Sequence, residues 1–137
     1  MHAYSGVDHG QDVAQLYDDD SGNDTFKAWP TEAKLYGNGF YNRAKSFRTV
    51  YGYAEQGSGG TDVGYLYDST GDDYLQARDG DPSGEDWVML RDEAVAEYTI
   101  WAYGLDEIWA DSGTDDDTAD VGDNLDFDLH LTGAWEN

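Results

Sequence analysis

The sequence predicts an all-β protein: a parallel β-solenoid of about 2.75 stacked repeats, with a β-sandwich as the alternative. Three observations support this class. The chain contains an internal repeat, its apolar residues fall in short aromatic or β-branched runs, and helical patterning is poor. Seventeen glycines are scattered along the 137 residues, and no stretch places apolar residues at i, i+3, i+4 and i+7 over three turns. Strand spacing alone does not separate a solenoid from a sandwich.

The repeat has a period of about fifty residues. The segment Asp12–Asp18 (DVAQLYD) matches Asp62–Asp68 (DVGYLYD), and Asp117–Asp123 (DTADVGD) is a weaker third copy. We interpret residues 1–137 as a single repeat domain with units of approximately 1–50, 51–100 and 101–137, and as a piece of a longer array. An aromatic tripeptide precedes each copy: His2-Ala3-Tyr4, Tyr51-Gly52-Tyr53 and Trp101-Ala102-Tyr103.

Within a unit, runs rich in β-branched and aromatic residues predict strands of four to six residues, separated by Gly, Asn and Asp clusters. Alternation along each run predicts an inner and an outer face. Because Asp18 and Asp68 end matching strands, we expect stacked units to bring their carboxylates together. The predicted strands include Val13–Tyr17, Thr25–Ala28, Ala33–Tyr36, Thr49–Ala54 and Val63–Tyr67.

The charge is strongly negative, with thirty Asp and Glu against seven Lys and Arg and a formal net charge of −23. This balance excludes nucleic acid and an anionic membrane surface as default partners, since both are bound by clustered cations. An apolar content of 39% and an aromatic content of 15% are too high for a disordered acidic tail. Two explanations for the acids compete: a salt-screened surface, or bound divalent cations.

The placement of the acids favours Ca²⁺, although another divalent metal also fits. Calcium takes oxygen ligands, and Gly beside a short Asp lets a loop turn its oxygens inward. The segment Asp79–Gly84 has oxygen-bearing side chains at positions one, three and five of an EF-hand pattern and Gly at position six, but Leu90 replaces the Glu at position twelve. Further acidic loops span Asp18–Asp24 and Asp115–Asp123. The candidate metal ligands are Asp12, Asp18, Asp24, Asp62, Asp68, Asp73, Asp79, Asp81 and Asp86.

Three segments of the sequence resemble repeats of very large surface proteins of planctomycetes and other marine bacteria. They are 22–28 (GNDTFKA), 39–47 (GFYNRAKSF) and 59–69 (GGTDVGYLYDS). The half-motif Gly-x-Asp-x-U, where U is a large apolar residue, resembles the RTX (haemolysin-type) calcium-binding nonapeptide. It occurs at 22–26, 71–75, 84–88 and 104–108, without full tandem nonapeptides. The resemblance implies an extracellular or cell-surface parent protein and a structural or adhesive role. The N-terminus has no signal-peptide pattern.

Other functions stay open. A metal-dependent hydrolase acting on a phosphoester or related substrate would use Asp12, Asp18 and His9, and we consider an enzyme less favoured than a structural module. A carbohydrate-binding module would use exposed aromatics such as Trp29 and Trp87, although aromatic ladders also stiffen β structures. Neighbouring repeats and self-association are further expected partners, and membrane insertion is not expected because no long apolar run occurs.

Overall fold

The computed structural model describes residues 1–4, 12–18, 22–54, 60–80, 84–93 and 98–136. Within these residues the chain forms strands and turns and no helix, which confirms the predicted all-β class. The strands begin where the β-branched and aromatic runs begin and end at Gly- or Asp-containing turns. They are β1 (His2–Tyr4), β2 (Val13–Tyr17), β3 (Thr25–Trp29), β4 (Glu32–Gly37), β5 (Phe40–Lys45), β6 (Thr49–Tyr53), β7 (Val63–Tyr67), β8 (Asp73–Arg78), β9 (Trp87–Asp92), β10 (Thr99–Tyr103), β11 (Glu107–Asp111), β12 (Asp117–Val121), β13 (Asp128–Thr132) and β14 (Trp135–Glu136).

The strands form two seven-stranded sheets. Sheet A has the order β1-β5-β4-β3-β7-β11-β13, and sheet B has the order β14-β12-β8-β9-β10-β6-β2. The pairs β3–β4, β4–β5, β8–β9 and β9–β10 are antiparallel, and the other neighbouring pairs are parallel. Consecutive strands from β11 to β14 alternate between the two sheets. We call one passage of the chain through both sheets a coil, and each coil in this stretch contributes one strand to each sheet.

The architecture combines the two predicted alternatives. Parallel pairing of strands from successive coils is the feature expected of a solenoid, while two facing sheets around one core are the feature of a sandwich. The core includes Phe26 and Leu66 from sheet A and Val50 and Leu75 from sheet B. The strands β4 and β9 each run antiparallel to both of their neighbours and interrupt this otherwise parallel pattern.

The structure corrects one part of the repeat alignment. Two of the three matching tripeptides are neighbours, since Tyr51 and Trp101 pair in register between β6 and β10, but His2-Ala3-Tyr4 forms β1 in the other sheet and pairs with β5. The matching strands β2 and β7, however, lie in different sheets, since β2 pairs with β6 and β7 pairs with β3 and β11. The expected stacking of Asp18 on Asp68 is therefore wrong. Both sheets require the same inward–outward alternation, so the alternation cannot assign a strand to one of them.

A large side chain from one sheet fits a small residue of the other at the centre of the core. The ring of Phe26 on β3 is 1% exposed, and a Cβ added to Gly52 on β6 would lie 2.6 Å from it. Real Cβ atoms do not approach another heavy atom this closely, so the missing side chain of Gly52 is a steric requirement of this sheet packing.

We predict that Gly52→Ala lowers the free energy of unfolding by about 1–3 kcal/mol, because the new methyl group overlaps the Phe26 ring. The measurement is chemical denaturation. Gly71→Ala is the matched control, since a Cβ at Gly71 meets only the Ser69 hydroxyl at 3.9 Å. The double variant Phe26→Leu/Gly52→Ala is expected to lose less free energy of unfolding than the two single variants lose together, because the smaller Leu side chain leaves space for the new methyl group. Equal stability of Gly52→Ala and Gly71→Ala would contradict this packing.

Candidate metal centre

Aspartates at the turns between the sheets connect one coil to the next. The backbone N–H of Asp24 donates to Oδ1 of Asp62 at 2.9 Å, and the N–H of Asp62 donates to Oδ2 of Asp106 at 2.8 Å. Asp62 is 2% exposed. Each of these three residues directly precedes a strand: β3, β7 and β11, respectively, which are parallel neighbours in sheet A. The turn aspartates therefore form a ladder of side-chain-to-backbone hydrogen bonds, which we call the Asp ladder.

A second set of aspartates forms a compact carboxylate cluster. Asp73 begins β8 and Asp117 begins the parallel neighbour β12, while Asp68 follows β7 in the opposite sheet. One carboxylate oxygen from each of Asp68, Asp73 and Asp117 lies within 4.8 Å of the other two. Asp73 and Asp117 are completely buried, and Asp68 is partly exposed. The turn from sheet A to sheet B thus brings three acids to one point, the Asp68–Asp73–Asp117 cluster.

Hydrogen bonds fix two of the three carboxylates. Asp73 accepts the Tyr98 hydroxyl at Oδ1 and the Ser69 N–H and hydroxyl at Oδ2, each at 2.8 Å. Asp117 accepts the Asp73 N–H at Oδ1, also at 2.8 Å. When both acids are ionised, Oδ2 of Asp117 and Oδ2 of Asp68 are buried and have no hydrogen-bond donor among the described residues. Two buried oxygens thus lack the compensation that a buried carboxylate normally requires.

The cluster carries unbalanced negative charge. Burial raises the pKa of Asp68 from 3.8 to about 7, together with the hydrogen bond that the protonated Asp68 carboxyl makes with Asp117 and the charges of Asp117, Asp73 and Asp111. Burial also raises the pKa of Asp117. None of the salt bridges among the described residues includes these three acids. The oxygens lie within 4.8 Å of one another, and at that upper limit two charges repel by roughly 3 kcal/mol at an effective dielectric constant near 20. The ionised cluster therefore needs a cation or a proton.

The donor set suits a hard metal ion. Three carboxylates can hold a divalent cation, and the two oxygens without donors are the ones left open to it. Asp68 also lines a surface groove of about 520 Å³ with Thr70, Gly113, Thr114 and Asp115. Water in this groove can supply the remaining ligands that a six- to eight-coordinate ion needs.

The structure distributes the predicted ligands over several places. Asp68 and Asp73 belong to the cluster, whereas Asp24 and Asp62 belong to the Asp ladder. The remaining predicted ligands lie elsewhere: Asp12 and Asp18 flank β2, Asp79 follows β8, Asp86 accepts the Gly80 N–H at 3.1 Å, and Asp81 lies outside the described residues, as does His9.

Asp117 is the member of the Asp68–Asp73–Asp117 cluster that the predicted ligands do not include. It lies in the acidic run Asp115–Asp117, where the sequence does not distinguish one acid from its neighbours. The available signal was its likeness to Asp73, since Asp117-Thr118-Ala119 and Asp73-Tyr74-Leu75 both begin a strand with Asp followed by alternating residues. The two segments are parallel neighbours in sheet B.

No protein-family model, curated protein or solved structure matches this chain. Within the part of the chain that the structure describes, no helix has the length and apolarity needed to cross a bilayer. Proposals about function therefore depend on the site geometry.

The raised pKa of Asp68 predicts how stability changes with pH in the presence of a chelator. Between pH 3.8 and about 7 the folded chain keeps a proton that the unfolded chain has released. The folded state therefore binds more protons, and the free energy of unfolding falls as pH rises through this window. We expect the melting temperature in EDTA to fall between about pH 5 and pH 8.

Asp68→Asn is expected to remove most of this fall, and Asp123→Asn, at an exposed acid away from the cluster, is expected to keep it. Thermal denaturation followed by circular dichroism at several pH values measures the effect. A melting temperature that rises with pH in EDTA would show that the cluster is not strained by its own charge.

Proposed function

We propose that this chain is a calcium-stabilised structural or adhesive repeat module of a large extracellular protein. The observation that carries the proposal is the pair of buried carboxylate oxygens, on Asp68 and Asp117, that accept no hydrogen bond among the described residues when both acids are ionised. A bound cation would compensate both oxygens and the repulsion between the three carboxylates. Asp68, Asp73 and Asp117 would hold the ion.

Calcium is the metal that fits this donor set best. The cluster offers only carboxylate oxygens, which favour Ca²⁺, Mg²⁺ or Mn²⁺ over Zn²⁺ or copper. Mg²⁺ requires near-ideal octahedral geometry, whereas Ca²⁺ accepts irregular sets of six to eight oxygens. Hydrogen bonds from Tyr98 and from the backbone of Asp73 fix the positions of the Asp73 and Asp117 carboxylates. A bound metal must therefore tolerate the ligand positions that these bonds impose. This favours the more tolerant ion.

The position of the cluster supports a structural role. Asp68 follows a strand of sheet A, and Asp73 and Asp117 begin strands of sheet B, so an ion between them would tie the two sheets and two successive coils together. Two of the three acids are completely buried, which leaves little room for a substrate beside the ion. The hydrolase alternative needs His9, outside the described residues, together with Asp12 and Asp18.

The aromatic side chains support stiffening more than sugar binding. On the outer face of sheet B the Tyr53 ring lies between Tyr17 and Tyr103, with centroid distances of 4.7 and 5.2 Å. Tyr51 stacks on Trp101 at 6.0 Å in the same sheet. Sugar recognition needs a free ring face, and these rings cover each other. They add cross-strand contacts along the stack of coils.

The calcium proposal predicts opposite effects of one substitution in two buffers. At about pH 8, Asp68→Asn is expected to reduce the gain in melting temperature on adding Ca²⁺, because a ligand is lost; saturation at a hundredfold excess over Kd is worth about 2.7 kcal/mol to the wild-type chain. In EDTA the same substitution is expected to raise the melting temperature slightly, because one of three repelling charges is removed. Differential scanning calorimetry measures both.

Asp123→Asn is the matched control, since it removes one exposed acid outside the cluster and should respond alike in both buffers. Calorimetric titration with Ca²⁺ and with Mg²⁺ tests metal identity, and we expect tighter binding of Ca²⁺. An equal shift for Asp68→Asn in calcium and in EDTA would overturn the proposal and assign these acids to a salt-screened surface.

A further inference from the structure

We propose that the outer face of β3, β4 and β5 binds an acidic polysaccharide that carries one carboxylate on each sugar ring. The outward positions of these strands alternate with buried residues, among them Ala28, Ala33 and Ala44. These positions carry four cations and one acid, whereas the whole chain has a net charge of −23. We call this surface the cationic face, and its charged residues are Lys27, Glu32, Lys34, Arg43 and Lys45.

Three of the cations stand in one row across the sheet. Lys27 on β3 is directly opposite Lys34 on β4, and Lys34 is directly opposite Arg43 on β5. The Cβ atoms of directly opposite residues are about 4.5–5.5 Å apart, and like charges in such positions destabilise a sheet. In a chain with thirty acids and seven cations, the row departs from the pairing that would stabilise this sheet. Departures of this kind are expected at functional sites.

Glu32 compensates only part of the positive charge. Its Oε1 atom accepts the Nε–H of Arg43 at 2.6 Å and lies 3.4 Å from Nζ of Lys34, so one carboxylate serves two cations. Lys27 and Lys45 form no ion pair within the part of the chain that the structure describes. The cationic face therefore keeps a positive charge that an anionic ligand can compensate.

Aromatic rings hold two of the ammonium groups at the surface. Nζ of Lys27 lies 5.3 Å from the centre of the Tyr65 ring, and Nζ of Lys34 lies 5.4 Å from that of the Trp29 ring. A ring attracts a cation without neutralising it, so both charges remain available to an anion. Lys45 is exposed. The positive charges are thus accessible, and two of them are positioned before a ligand binds.

The spacing of the row fits a linear ligand with one charge per sugar ring. Neighbouring strands are about 4.8 Å apart, so the row presents one cation at each such step over three strands. One sugar ring of an extended polysaccharide covers a similar length, which lets successive carboxylates meet successive cations. Tyr41, 40% exposed on the same face as Arg43, adds an apolar surface for a sugar ring, and the neighbouring Tyr36 ring is tilted against it by 32° and not stacked on it.

Denser polyanions fit this surface less well. The cationic face is three strands wide, roughly 10 Å, and the other half of the outer face of sheet A, on β7, β11 and β13, has acids and no Lys or Arg. A DNA duplex carries one charge about every 1.7 Å along its axis and would extend onto this acidic surface. An anionic membrane would do the same. A short polysaccharide segment avoids the repulsion, and it suits the proposed adhesive role, on which this choice of partner rests in part.

Isothermal titration calorimetry with a short, soluble oligouronide at about 0.15 M salt tests the proposal. The wild-type chain is expected to bind it, and the methyl ester of the same oligouronide, which has the same sugar rings without the charges, is expected not to bind. Lys27→Gln and Lys45→Gln are each expected to weaken binding several-fold, because each removes one charge of the cationic face. Arg91→Gln, which removes a cation from β9 in sheet B, is the matched control and is expected to leave binding unchanged.

Glu32→Gln gives the sharpest result, because it is expected to increase the affinity. It removes the single acid of the cationic face and should tighten binding several-fold. Asp123→Asn changes the net charge by the same amount at an exposed position after β12 and is expected to have little effect. Equal effects of the two substitutions, or no binding by the wild-type chain, would overturn the proposal. Circular dichroism melts establish that each variant is folded.

Two comparisons separate this proposal from the calcium site and from other partners. Asp68→Asn and EDTA are each expected to leave oligouronide binding unchanged, even if the chain binds no Ca²⁺. Loss of binding in both would show that a metal ion at the Asp68–Asp73–Asp117 cluster holds the ligand, which would overturn the cationic face and support the calcium site. Tighter binding of single-stranded DNA or of vesicles with anionic lipid would overturn the choice of a polysaccharide.

Discussion

The interaction on which this structure depends is the bond from a backbone N–H of one coil to the turn aspartate of the next. Asp62 and Asp106 accept such bonds in one row of turns, and Asp117 accepts one in another. A bond to a carboxylate is stronger than a bond between neutral groups, and it continues the strand ladder through the turn. The same side chain lets the chain change sheets without leaving buried donors unsatisfied.

These bonds to turn aspartates place negative charge in the interior. Whether the charge is compensated depends on how many acids lie at each turn. In the Asp ladder, each of Asp62 and Asp106 accepts a backbone N–H, although burial raises the pKa of Asp62. In the Asp68–Asp73–Asp117 cluster, the nearby hydrogen-bond donors already bond to Asp73 and Asp117, and Asp68 adds a third carboxylate. The hydrogen bonds are then too few for the charges, and the excess is what makes the cluster suited to a cation.

Contacts between neighbouring coils hold the stack together. Backbone pairing, the Asp ladder and the rings of Tyr17, Tyr53 and Tyr103 all run along the stack, so each coil depends mainly on its neighbours.

The amino-acid sequence by itself determined the all-β class, the short strands and the importance of Gly-x-Asp turns. In all four half-motifs the apolar residue that follows the Asp is buried in the core: Phe26, Leu75, Val88 and Ile108. These features are local, because strand propensity, alternation and turn chemistry act over a few residues. The acidic composition left two explanations open, a salt-screened surface and bound divalent cations.

Only the tertiary structure decided which sheet each strand joins and which acids meet. The matching copies β2 and β7 lie in different sheets, and Asp68 meets Asp117 instead of Asp18. The hairpin β4–β5 and the strand β9 change the number of strands between successive crossings, while both sheets accept the same side-chain alternation. The fifty-residue spacing of the repeat therefore does not predict which aspartates meet. The order in which the strands pair within the two sheets decides it.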